Sequence, residues 1–244
     1  MTDKELLEFE TKGYELENRI LHNQEIVRKQ TAVALDSNLT NSRIFLASLF
    51  FELMKIREGV PGNSEESTSK ILYLLATYIQ GFGITENLIY EGQYSKAASA
   101  LKQEYEILTR IKELRENSAK EGKTPNVKFA PKGSQRIYGK LNDISHPSNS
   151  DIIFDLILKS FDGQINAVSP MPVFNEEYAI NLYKSHLFIG YEILKEDLEL
   201  IADFYGPEIF DELERNDFFE YVKILRRSLL QGKVIEEKIT TPDF

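Results

Sequence analysis

Apolar residues recur at steps of three and four along most of the chain, and prolines at 61, 125, 131, 147, 170, 172, 207 and 242 mark where that pattern has to stop. Proline lacks a backbone N–H and its ring clashes with the preceding turn, so helix interiors exclude it. The long proline-free stretches before Pro61, between Pro61 and Pro125, between Pro172 and Pro207, and after Pro207 therefore predict helices. Leu6, Phe9, Leu16, Ile20 and Ile26 predict a first helix over 3–35, weakened in its first turns by Gly13. A turn and cap at 38–41 lead into a second helix over 42–58, apolar on most of its circumference through Ile44, Phe45, Leu46, Leu49, Phe50, Phe51, Leu53 and Met54. Such a helix belongs at the centre of a bundle or in half of an oligomer interface.

A loop over 59–67 precedes a third helix over 69–91, with Ser67, Thr68 and Ser69 as caps and Gly81 and Gly83 as points of splitting or kinking. Gly92 separates it from a helix over 94–117, where Ala97, Leu101, Tyr105, Leu108, Ile111 and Leu114 keep the helical step. Residues 119–133 read as a mobile linker, and Ser134 caps a short helix that ends before Pro147. Strands compete with helix only over 151–174: a short helix is expected there, then a small β-hairpin near 156–168 turning at Asp162-Gly163. Asn175 caps a long helix over 176–205, and a last one spans 208–230. The expectation is an all-α bundle of about seven helices in a single domain over 1–244.

Composition narrows the class. Of 244 residues, 42% are hydrophobic and 28% charged, which fits a globular chain and not a disordered or fibrous one. Surface scaling from 28.1 kDa gives roughly 11,000 Å² folded against about 41,000 Å² unfolded, enough burial for a large core. With no Cys, disulfides, thiolate metal sites and Cys nucleophiles drop out together. The start Met1-Thr2-Asp3-Lys4-Glu5 does not read as a secretory leader, and the longest apolar run, 44–54, is broken by Ser48 and Glu52 and is too short to span a bilayer. A cytoplasmic, bacterial-type protein is expected, with neither membrane nor metal as partner.

Three histidines, His22, His146 and His186, carry most of the chemistry available. His22 reads as a surface residue and His186, in the apolar context Tyr183 to Phe188, as a satisfied core histidine. His146 ends a polar segment from Ser134 to Ser148; Pro147 stops the helix there, so the imidazole sits at a helix C-terminus where the macrodipole favours its charged form. Asp143, three residues earlier, can approach it. His146 could equally be a helix-stop residue that caps its own carbonyls. Glu-x-x-His pairs, His-Glu-x-x-His, the phosphate-binding loop motif and the serine nucleophile elbow are all absent, and no cofactor is expected.

The helix around Ala100-Leu101-Lys102-Gln103-Glu104-Tyr105-Glu106, a linker, and a basic-polar helix ending in His146 together resemble the HEPN (higher eukaryotes and prokaryotes nucleotide-binding) superfamily. The resemblance covers 94–146 and implies a four-helix-type bundle, frequent dimerisation, and metal-independent ribonuclease activity of the toxin or phage-defence kind. Its signature is Arg, four to six residues, then His. Arg136 lies ten positions before His146, and Lys140, at six, has the spacing but not arginine's bidentate fork. On this reading His146 is general acid or base, Lys140 and Arg136 neutralise phosphate, and Glu104 or Asp143 orients the base. The segment Ser145-His146-Pro147-Ser148 is also similar to uncharacterised bacterial helical proteins.

The net charge of −10 conceals a strong asymmetry. From 119 to 141, Lys120, Lys123, Lys128, Lys132, Arg136 and Lys140 face Glu121 alone, a balance of +5, whereas 174–220 holds thirteen acidic residues against three basic. The basic segment could hold RNA or another anion, or fold back on the acidic helix. The leading expectation is association without a catalytic motif, as a homodimer through Phe45, Leu49, Phe50 and Leu53. The alternative is a degenerate HEPN-like ribonuclease or anion-binding protein.

Overall fold

The computed structural model describes residues 2–57, 65–146, 148, 150–161, 164–206, 208–215 and 217–236. They form α1 (Asp3–Ala34), α2 (Ser37–Arg57), α3 (Glu66–Tyr90), α4 (Tyr94–Arg115), α5 (Gln135–Ser145), α6 (Ser150–Ile157), β1 (Leu158–Phe161), β2 (Gln164–Val168), α7 (Glu176–Tyr205), α8 (Ile209–Arg215) and α9 (Phe218–Gln231). The all-α class holds, with nine α-helices among the described residues. One reason the count exceeds seven is that the expected final helix divides at Asp217, whose φ of 57° interrupts helical geometry. β1 pairs antiparallel with β2, Leu158 opposite Val168. The expected Asp162-Gly163 turn and most of the expected 59–67 loop lie outside the described residues.

Helix starts follow local chemistry in some places and not in others. Asn175 caps α7 by accepting from the Tyr178 N–H, and Asp36 accepts from the Leu39 N–H so that α2 begins before the expected turn at 38–41. Ser134 holds the N-cap position of α5, but its hydroxyl donates to the Pro131 carbonyl. Ser67 to Ser69 lie inside α3, which runs unbroken past Gly81 and Gly83.

The central helix is α7, not α2. From Leu182 to Ile201 it is buried on nearly every side, with α2, α3 and α4 packed around it. α2 buries one face, Leu39, Leu46, Leu49, Phe50 and Leu53, in the chain's own core, with α9 on its other flank. This corrects the expected dimer face: Leu49, Phe50 and Leu53 are spent internally, and Phe45 packs against the same core. α2 and α7 approach closely at Gly190, where a Cβ would lie 2.5 Å from Leu46 and 2.6 Å from the Tyr78 hydroxyl.

One end of the bundle is tied by ions. Arg57 at the end of α2 donates two hydrogen bonds, 2.6 and 3.0 Å, to the buried Asp197. Lys112 and Arg115 at the end of α4 pair with Glu196, and Arg115 reaches Asp203. The acidic load of α7 is thus met by the basic ends of its neighbours, not by the 119–133 segment. That segment, expected as a mobile linker, carries a 3-10 turn at Val127–Phe129 and is fastened to α4: Arg110 donates to the carbonyls of Lys120 and Lys123, and Glu113 accepts from the Asn126 N–H.

α1 departs most from a globular pattern. Residues 2–19 are exposed without exception, and only the C-terminal part meets the body, where Arg28 pairs with Glu91 and the buried Val27 packs over Gly92. Gly92 takes φ 73° and a Cβ there would sit 2.9 Å from Val27, so glycine is required.

Candidate functional site

α5 lies on α4 because Leu141 and Ile144 are buried and Tyr138 leans on Tyr105, its hydroxyl donating to Glu106. Burial and that carboxylate push the Tyr138 hydroxyl up to about 12, so it stays a donor. Lys102 of α4 reaches across to Asn142, 3.0 Å away, and over the Tyr138 ring. With this face fixed inward, Arg136, Lys140, Asp143 and His146 follow one another at steps of four, three and three along the outer surface.

All four are exposed, and none makes a side-chain hydrogen bond or ion pair among the described residues. His146 is the C-cap, its backbone N–H donating to the Asn142 carbonyl; the ring does not cap the helix. It lines an open polar concavity of about 620 Å³ with Asn142, Asp143, Ser148, Ser150 and Asp151. Asp143 also borders a neighbouring groove that Lys140 lines, so Lys140, Asp143 and His146 share one continuous surface. Among the basic candidates, Lys120, Lys123, Lys128 and Lys132 are exposed, with Lys128 placed over the Phe129 ring.

Glu104 does not join them. It faces the opposite side of α4, where its Oε2 lies 2.9 Å from the His186 Nδ1 and its Oε1 accepts from the Thr85 hydroxyl at 2.6 Å. His186 is fully buried and only half satisfied: its Nε2 has no partner among the described residues. The Phe82 ring lies 4.8 Å from the imidazole and tilted to it, and Arg43 lies over Phe82. Tyr78 completes the cluster, its hydroxyl pushed well above the usual tyrosine range by burial and then by the charge of Glu104. Thr85 was not legible as a partner of Glu104, because nothing in a helical repeat says which residue of a distant helix a polar group will meet.

Among the described residues, no group of three or more His, Asp or Glu is placed to hold a metal ion, and no helix is long and apolar enough to cross a membrane. Comparison with protein-family models, curated proteins and solved structures gives no match.

Proposed function

We propose that this protein works by association, as a homodimer joined through the exposed half of α1. The supporting observation is an apolar stripe along that helix, separate from a second line of exposed apolar residues at Leu7, Tyr14 and Leu21. Leu6, Phe9, Gly13, Leu16 and Ile20 follow at steps of three, four, three and four, the seam spacing of a coiled coil, and seven residues on from Ile20 stands Val27, which is buried against the body. The same face is thus covered where α1 touches its own chain and bare beyond it.

Most helical stability in proteins comes from packing of an apolar face, and Gly13 costs the arm about 1 kcal/mol relative to alanine. Covering Leu6, Phe9, Leu16 and Ile20 from each of two copies supplies roughly 1.5–3 kcal/mol per side chain. The gross gain of roughly 12–24 kcal/mol stands against an association cost of about 4–15 kcal/mol. Light scattering on the intact chain at micromolar concentration is expected to give twice 28.1 kDa, and Leu6→Glu with Phe9→Glu and Leu16→Glu to give the monomer mass. A wild-type monomer at 100 times that concentration sinks this reading.

A second reading draws on the bare outer stripe of α5. His146, Lys140 and Arg136 would act on an RNA backbone as a HEPN-like, metal-independent ribonuclease, with Asp143 in place of Glu104 as the group that orients His146. RNA cleavage that persists in chelator and is abolished by His146→Ala, a change at an exposed residue, is the expected outcome. Intact RNA after incubation with wild type, or equal cleavage by the variant, excludes it.

A further inference from the structure

The α3–α4 face holds a buried carboxylate without a fixed cation. Glu104 is 5% exposed, and among the described residues its partners are a hydroxyl, Thr85, and an imidazole, His186. The imidazole is a poor source of positive charge here. If it carried both protons, Nε2–H would be a donor sealed in the core with no acceptor among the described residues, a costlier orphan than the bare lone pair of the neutral ring. The neutral ring with Nδ1–H donating to Oε2 satisfies the geometry best. Arg43 sits behind Phe82 and is already paired with Glu86 at 2.7 Å. With that ring neutral, an ionised Glu104 has no cation beside it among the described residues, and an uncompensated buried charge is expensive.

Glu104 lines a groove of about 280 Å³ between α3 and α4. Gln80 and Gln103 line it as amides, Ile84 and Ile107 as apolar walls, and Gly81 leaves open space where a side chain would otherwise stand. Among the described residues, no lysine or arginine lines this groove. An apolar-walled slot with a carboxylate and two amides in its lining matches a short alkyl chain bearing an ammonium group.

We propose that this groove is a binding site for a small organic cation of the primary alkylammonium class, with Glu104 as its counter-charge and His186 and Thr85 holding the carboxylate in place. The site is separate from the α1 arm and from the outer stripe of α5.

The test is calorimetric titration of the full chain with n-butylammonium chloride, with n-butanol as the uncharged equivalent and potassium and magnesium chloride as inorganic cations. Saturable binding of the ammonium alone, weakened at least tenfold in Glu104→Gln, is expected. Gly81→Leu, which fills the groove from a helical position, should abolish binding while leaving the circular dichroism unchanged, and so keeps the test decisive if Glu104→Gln does not fold. Nitrogen-15 NMR should show His186 neutral with its proton on Nδ1. An imidazolium at His186 or a protonated Glu104, equal binding of butanol, binding of the inorganic ions alone, absence of saturation, or unchanged affinity in Gly81→Leu would each overturn the proposal.

Discussion

At the scale of single residues, Gly190 governs how α7 fits its neighbours. Its missing side chain is what lets Leu46 of α2 and the hydroxyl of Tyr78 of α3 reach the α7 backbone together. Alanine there would drive both contacts well below van der Waals distance, and overpacking of that kind costs roughly 1–3 kcal/mol. Gly190→Ala is expected to lower the unfolding free energy by about that amount, read as a lower urea midpoint with the slope of unfolding unchanged. Adding Tyr78→Phe should return part of the loss, because it removes one of the two clashing atoms together with a buried hydroxyl that has no partner. A loss under about 0.5 kcal/mol would show that the helices separate freely. The sequence marks His186 as a core histidine, and it is buried. That Glu104, 82 positions away, would be its partner depends on the rotation of α4 against α7, which no local pattern encodes.

Among elements, legibility followed how sharply one face differs from another. The inward face of α4 is legible because apolar and polar positions separate cleanly along it: Leu101, Tyr105 and Leu108 are buried. α2 is apolar nearly all round, so its pattern could not say which side is covered. Leu46, Leu49 and Leu53 went inward and Ile44, Phe51 and Met54 outward. Gly81 and Gly83 did not break α3, since packing on α4 and α7 outweighs about 1 kcal/mol of helix propensity per glycine. α1 was legible as a helix and illegible as an arm. Its apolar positions look like those of any core-facing helix, and only the placement of the body beyond Ile20 reveals that the first half has nothing of its own chain to cover.

For the whole molecule, the accessible surface of 14825 Å² exceeds the roughly 11,000 Å² typical of this mass, as an uncovered arm requires. Charge also takes its meaning at this scale, because the acidic excess of α7 is gathered at the end where α2 and α4 deliver Arg57, Lys112 and Arg115. Asp197 is the innermost of these groups. Burial raises its carboxyl from 3.8 to about 6, and the attraction of Arg57 offsets only part of that rise. A folded value above the unfolded one means that the proton binds the folded chain more tightly. The stability linked to this group is therefore fully present below pH 4 and is lost as pH rises through 6. Two pH units correspond to about 3 kcal/mol. Asp197→Asn keeps the shape without the titration, and when Asp197 is protonated Arg57 lacks its charged partner just as it does in the variant, so that cost cancels. The stability of Asp197→Asn relative to wild type, from urea unfolding at closely spaced pH, is expected to rise between pH 4 and 7 by up to about 3 kcal/mol. A flat difference across that window would mean that the Arg57 pair holds Asp197 ionised throughout, and a falling one that pairing outweighs burial at this end of the bundle.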